Sequence, residues 1–401
     1  MTYEAGAPEM ARLDGFIGRV TGSLRDHRSR ASFATYAFGL LTEGERKSME
    51  PMAARMCECP DDDRAMQHAH DRMINLITRS EWEDMPVRKE AVGYALDAVK
   101  ARGETVEVSI IDDTGFLKQG KRSPGVQRQY TGSAGKTANC QVAVSLTVAS
   151  RSTHVPVDME LYLPQAWTDD RPRCRVAKIP DDIGYRPKWQ IALLMLERAK
   201  KHGVPLGVAL ADSAYGDVGE FRAGLLSLDL PYAVGIHSTT TVTPLGANGR
   251  ERDKVQVAKL AASLPKTAFR TVTWREGSAR ALRSRFARRR VRVGGIEQDL
   301  VVEWPEGESK PTDFSLVAIP GQLSTKQMVR ILKQRWRTER FYEDMKGELG
   351  LDHFEGRSWR GWNHHVTLSL CCYAFVIAEQ LRHFSLTTRG ARWDDPLSSA
   401  A

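Results

Sequence analysis

The chain has 401 residues, 41% of them hydrophobic, and 58 Lys and Arg against 50 Asp and Glu give it a net charge of +8. That apolar content excludes wholesale disorder, and the length suggests two or three structural units. The basic balance, with a pI near 9.2, favours an anionic partner, most simply nucleic acid.

Taken in chain order, residues 1–100 read as helices. Apolar side chains recur at helical spacing in Met10 to Leu24, Phe33 to Leu41 and Ala91 to Val99, punctuated by Pro51 and the Pro60-Asp61-Asp62-Asp63 run. This is expected to be a helical N-terminal domain for DNA binding or dimerisation. The texture changes near Gly103. Three β-rich runs, Val106 to Ile111, Gln141 to Val148 and His154 to Leu163, are joined by short links and predict an antiparallel meander. A helix follows from Pro187 to Lys201, then a strand at Leu206 to Leu210, a helix at Asp217 to Leu228 and a strand at Tyr232 to Ile236.

Residues 238–312 break that pattern with short Thr-rich and Arg-rich strands, Thr271 to Trp274, Arg290 to Val293 and Leu300 to Trp304, and read as a β-rich insertion. Phe314 to Ile319 returns to the core. Ser324 is expected to cap one long helix running to Leu349, and a last helix spans His364 to Leu381. The expected fold class is α/β: an RNase H-like catalytic core at 101–237 and 313–389, interrupted by the insertion, preceded by the helical domain and followed by a loose tail at 390–401.

Six cysteines, Cys57, Cys59, Cys140, Cys174, Cys371 and Cys372, are expected to be reduced and structural, which suits the cytoplasm. Cys57 and Cys59 with His68 and His70 match no standard zinc spacing. The start MTYEAGAPEM lacks the basic and then apolar run of a secretory signal, and the apolar stretch Val366 to Ala378 is too short to span a bilayer, so no membrane role is expected.

Carboxylates sit where chemistry on phosphodiesters needs them. Cleaving such a bond at neutral pH calls for a strong nucleophile and a neutralised leaving oxygen, which two Mg²⁺ ions about 3.5–4 Å apart supply. Mg²⁺ takes oxygen ligands and keeps several waters, so a few carboxylates suffice. Asp113 follows the first core strand, Asp212 follows the strand after the first core helix, and Glu339 lies on the long helix. On an ideal helix Glu339 is about 40° from Arg335, and Lys346 about 20° from Glu339, so the three share one face. Ile331, Met345 and Leu349 form the adjoining apolar face. The bland alternative is an exposed helix with a salt-bridge pattern.

These residues also carry a resemblance. The stretch Leu332-Lys-Gln-Arg335-Trp-Arg-Thr-Glu339-Arg-Phe-Tyr-Glu-Asp-Met-Lys346 resembles the Tyr-x2-Arg-x3-Glu-x6-Lys signature of DDE transposases of bacterial insertion sequences, with Leu332 in place of the Tyr. The Asp-Thr of IIDDTGF maps the first family Asp to Asp113, with Asp112 as the alternate, and VALADSAYGD maps the second to Asp212. The segment GLDHFEGRSWRGWNHH resembles the subgroup typified by insertion sequence 701. The resemblance implies a cut-and-paste transposase, working through a DNA hairpin, with Mg²⁺ (or Mn²⁺ in its place) held by Asp113, Asp212 and Glu339. It implies a homodimer on double-stranded DNA, at terminal inverted repeats and target, in a bacterial cytoplasm at the nucleoid. It further implies that Arg335 and Lys346 hold DNA and that the insertion stacks an aromatic on a flipped base, for which Trp274 is the candidate. The rival reading is a domesticated transposase acting as a non-catalytic DNA-binding regulator.

Residues 280–292, RALRSRFARRRVR, hold seven arginines and no acid. They are expected to be mostly exposed, with Arg288, Arg289 and Arg290 on the DNA backbone. In the closing segment Arg357, Trp359, His364 and His365 are candidates either for DNA contact or for packing.

Overall fold

The computed structural model describes residues 7–276 and 281–383. Arg280 and the expected tail at 390–401 lie outside the described residues. Five helices come first: α1 Ala7–Val20, α2 His27–Leu41, α3 Met49–Met56, α4 Asp63–Ile74 and α5 Asp84–Ala101. Strands β1 Val106–Leu117, β2 Gln127–Thr131, β3 Lys136–Ser150 and β4 His154–Leu161 follow, then short helices α6 Gln165–Thr168 and α7 Arg171–Val176 and the longer α8 Lys188–Lys201. Next come β5 Val208–Ala211, α9 Ser213–Gly216, α10 Gly219–Ser227 and β6 Tyr232–Ile236. The strand-rich stretch comprises β7 Thr241–Pro244, β8 Val255–Gln256, α11 Val257–Ala262, β9 Arg270–Glu276, β10 Ala281–Val293, β11 Ile296–Trp304 and β12 Asp313–Ala318. The described chain closes with α12 Thr325–Leu332, α13 Trp336–Gly347 and α14 Trp359–His383. The fold is mixed α/β, with parallel and antiparallel strand pairs.

The described residues form two compact units. The first holds residues 7–105, 113–191 and 338–383. Its centre is α14, buried almost all round from Gly361 to Leu381, which packs against α1, α2, α5 and β4. The apolar stretch at Val366 to Ala378 is therefore a core helix, and among the described residues no helix is long and apolar enough to cross a membrane. Arg88 of α5 is 3% exposed and donates to Asp158 of β4 at 2.7 Å and to Thr367 of α14 at 2.8 Å, tying three elements at one buried point. Local sequence sets the helix starts: the side chains of Asp26 and Asp62 accept backbone N–H groups at the first turns of α2 and α4.

In the same unit β3 pairs antiparallel with both β2 and β4. Strand β2 is an addition to the expected meander. Its sequence QRQYT carries no apolar alternation, because Arg128 and Tyr130 both face solvent, so pattern reading passes over it.

The second unit holds residues 106–112 and the described part of 192–337. The first half of β1 pairs parallel with β5, and β5 pairs parallel with β6. From there every neighbour is antiparallel: β6 with β12, β12 with β11, β11 with β10, and β10 with both β7 and β9. The strands between 238 and 312 thus continue the sheet edge to edge from β12. The helix expected from Asp217 to Leu228 is α10, and the short α9 ahead of it is an addition. The long helix from Ser324 starts with the expected capping box, in which Ser324 and Gln327 exchange hydrogen bonds. It then tightens into a 3-10 turn at Lys333–Arg335 before α13 begins.

Candidate active site

Asp112 and Asp113 are adjacent on β1, so their side chains leave opposite faces of the strand. The structure places Asp113 within β1 rather than after it, since pairing with partners carries the strand on to Leu117. Both carboxylates are half-buried, and each meets a different cation. Asp113 Oδ2 lies 2.8 Å from Lys188 Nζ at the start of α8. Asp112 Oδ2 lies 3.7 Å from Arg335 Nη2.

The register of β1 on β5 separates the two aspartates further. Val108 sits opposite Val208 and Ile110 opposite Leu210. Two residues on, the same register brings Asp112 level with Asp212, and alternation keeps both on one face. Asp113 is out of step by one residue and faces away. Asp212 follows β5 as expected, with extended backbone, and caps α9 by accepting Ala214 N–H on Oδ1 at 2.9 Å. Two glycines let this turn sit close to β6: a Cβ on Gly216 would fall 2.0 Å from Gly235 O, and one on Gly235 would fall 3.0 Å from Ser213 N.

Glu339 is exposed on α13, and among the described residues it has no hydrogen-bond or ion-pair partner. The 3-10 turn takes Arg335 off that helix, so the shared-face geometry holds for Glu339 and Lys346 only, seven residues apart on α13. Lys346 Nζ donates to Thr114 Oγ1 at 2.8 Å, Gly115 O at 2.8 Å and Ser133 Oγ at 3.1 Å, and burial lowers its pKa. Thr114 lies two residues beyond Asp112 and shares its face of β1. Lys346 is thus bonded at Thr114, and Arg335 lies beside Asp112.

Helix α13 is held by buried Phe341 and Met345. It is pinned by Tyr342 to Ser145 of β3 at 2.5 Å, and by Asp344, which accepts from Tyr373 at 3.1 Å while His154 meets the same hydroxyl at 2.7 Å. None of these supports was legible as site chemistry, because each partner is distant in sequence.

The arginine run departs from expectation. Its carboxylate partners come from β11 and from loops outside the run rather than from the run itself. Arg288 makes a forked pair with Asp299 of β11, at 2.6 and 2.9 Å, and Arg290 reaches Glu297 at 2.8 Å and Asp299 at 3.2 Å. Arg292 pairs with Glu251, Arg283 with Glu306 at 3.0 Å, and Arg285 lies 4.0 Å over the Trp304 ring. Arg289 is half-buried and donates to the Arg288 carbonyl at 2.8 Å. Arg288 and Arg290 are thus paired rather than unpaired, Arg288 half-buried and Arg290 exposed as expected.

Trp274 is half-buried on β9, edge-on to Phe286 at 5.9 Å, with Lys333 Nζ 4.6 Å over its ring. His364 and His365 of the closing segment are packing residues. His364 stacks on Trp82 at 3.8 Å and meets the carbonyls of Ile77 and Trp82. His365 contacts the Tyr36 hydroxyl at 2.9 Å, and burial pushes its imidazole down to about 4.

The donor set suits a hard cation. Asp212 keeps one carboxylate oxygen clear of its cap bond, Glu339 is unpaired among the described residues, and all candidate donors are oxygens. A separate trio with ligand-like spacing, Glu9, Glu379 and His383, is already bridged by Arg12, which donates to both carboxylates. All six cysteines are free thiols.

Residues 19–281 match the family model described as DDE superfamily endonuclease, and residues 189–375 match that of the transposase DDE domain. Over 233 residues the chain is 29% identical to the probable transposase for insertion sequence element IS701 of Microchaete diplosiphon, covering 58% of this chain and 55% of that protein. The match thus spans about half the length of that relative. Since the first model alone takes in well over half of the sequence, the chain belongs to the DDE endonuclease superfamily.

Proposed function

We propose that the chain is a divalent-metal-dependent DNA transposase whose acidic residues are Asp112, Asp212 and Glu339. The observation that supports the reading is the β1–β5 register, whose pairs at Val108–Val208 and Ile110–Leu210, continued two residues, would set Asp112 level with Asp212. Asp112 replaces Asp113 in this assignment, because Asp113 faces away and is committed to Lys188. The core is RNase H-like in this reading, the helices before β1 form an N-terminal domain, and the strands from β7 to β11 take the place of the insertion.

Mg²⁺, or Mn²⁺ in its place, bound at these carboxylates supplies Lewis-acid activation of the attacking oxygen and relief of charge on the leaving one. The chain's own part is positioning. Asp112 offers its oxygens from within β1 and Asp212 from just past the end of neighbouring β5, and the cap bond from Ala214 fixes the rotation of the second. Arg335, beside Asp112, and Lys346, bonded to Thr114, each carry positive charge that attracts DNA phosphates. The substrate is double-stranded DNA at the inverted repeats of the element, bound by a homodimer, with cleavage proceeding through a hairpin and strand transfer into target DNA.

A plasmid carrying the DNA that flanks the gene tests the proposal. With Mg²⁺ the full chain is expected to release the element and join it to a target plasmid, and with Ca²⁺ to bind without cutting. Tight binding to those ends with no cleavage in either Mg²⁺ or Mn²⁺ would favour the non-catalytic regulator.

A further inference from the structure

Past the end of β1 the chain enters the loop Lys118-Gln119-Gly120-Lys121-Arg122, whose backbone is held by side chains from elsewhere in the first unit. Asn139 Nδ2 donates to the carbonyls of Lys118 at 2.6 Å and Gly120 at 2.9 Å. Arg173 donates to the Lys121 carbonyl at 3.0 Å, Gln141 to that of Pro124 at 2.7 Å, and Trp167 to that of Val126 at 2.9 Å. Lys118 Nζ reaches Phe354 O at 2.6 Å and joins this loop to the segment 352–357. The two walls enclose an open cleft of about 680 Å³.

The charge of the cleft is lopsided. Arg46, Lys118, Lys121, Arg122 and Arg357 line it against Asp352 and Glu355, and Glu355 is taken by Arg46. Lys121, Arg122 and Arg357 are exposed, and among the described residues none has a carboxylate partner. Three unpaired cations on fixed backbone, divided between two walls of an open-ended cleft, suit a chain of phosphates better than one small anion.

We infer that this cleft is a DNA-backbone channel in which Lys121, Arg122 and Arg357 hold phosphates outside the reacting one. The inference rests on the DNA-cutting reading for its substrate. Arg122 and Arg357 grip phosphate oxygens through their planar forks, and Lys121 adds a point charge. Sequence is not read here, since phosphates carry none.

The test is a salt titration of the full chain on labelled end duplex in Ca²⁺, comparing wild type with Lys121→Ala/Arg122→Ala/Arg357→Ala. The plot of log Kd against log salt is expected to flatten by about two to three units in the variant, equally on random duplex. The corresponding triple Gln variant keeps bulk and polarity and serves if the Ala form does not fold. Neutral methylphosphonate linkages, placed one step at a time outward from the cleavage site, are expected to weaken wild type at the steps the cleft holds and to leave the variant unaffected there. An unchanged slope in a folded variant overturns the channel, whether or not wild type cuts in Mg²⁺. A flattened slope with no cutting by wild type in Mg²⁺ upholds the channel and counts against the nuclease reading alone.

Discussion

Lys346 of α13 donates to Thr114 Oγ1 of β1 at 2.8 Å, so the last cation of the signature helix is bonded to the strand that carries the paired aspartates. Its other two bonds, to Gly115 O and Ser133 Oγ, leave the ammonium fully engaged. Lys346→Met strips all three acceptors of their donor at a half-buried point. It is expected to cost about 1–3 kcal/mol in stability, read by urea unfolding, and to slow cleavage of end DNA at least about tenfold. Unfolding and cleavage both at wild-type levels would remove Lys346 from the account.

His365 links stability to acid. Its folded pKa is near 4, against 6.5 for the free side chain, because burial disfavours the imidazolium. The unfolded chain therefore binds the extra proton first. The stability that the neutral ring contributes is complete above pH 6.5 and is lost as pH falls toward 4. The loss is expected to reach about 3 kcal/mol, measured by urea unfolding at several pH values. His365→Gln is expected to flatten that acid limb; a variant with the same acid slope would show that other groups produce it.

The Arg88–Asp158 pair, both 3% exposed, gives a double-mutant test. Arg88→Met leaves a buried carboxylate uncompensated and is expected to cost about 3–5 kcal/mol. Arg88→Met with Asp158→Leu is expected to recover part of that loss, as removing both charges also removes the desolvation cost. Losses that simply add would mean the pair is not coupled.

In the arginine run, Arg288 and Arg290 serve Asp299, whose side chain is only 6% exposed. Replacing Arg288, Arg289 and Arg290 with Ala is therefore expected to lower stability by about 1.5–3 kcal/mol. The salt dependence of DNA binding should then move by no more than about one unit. A slope change of about three units would restore the run as a DNA clamp.

Much of the fold was legible because it rests on local pattern. The strands at Tyr232 and Phe314, the Ser324 cap and the core helix ending near Leu381 all follow from alternation, capping chemistry or helical spacing. What escaped depends on partners distant in the chain. The edge strand β2 lacks an apolar face, the 3-10 turn at Lys333–Arg335 has no Gly or Pro to announce it, and the acids that pair with the arginine run lie on other strands. The choice between Asp112 and Asp113 was of the same kind. Adjacent aspartates look alike in sequence, and only pairing with β5 shows which of them keeps step with Asp212.

That choice gives the most direct test of the site. Asp112→Asn and Asp113→Asn, each confirmed to bind end DNA in Ca²⁺, are compared for cleavage of that DNA in Mg²⁺. The account predicts that Asp112→Asn abolishes cutting, as Asp212→Asn and Glu339→Gln do, while Asp113→Asn retains it at a reduced rate. Loss of cutting in Asp113→Asn with cleavage kept in Asp112→Asn would contradict the register argument and return the first metal position to Asp113.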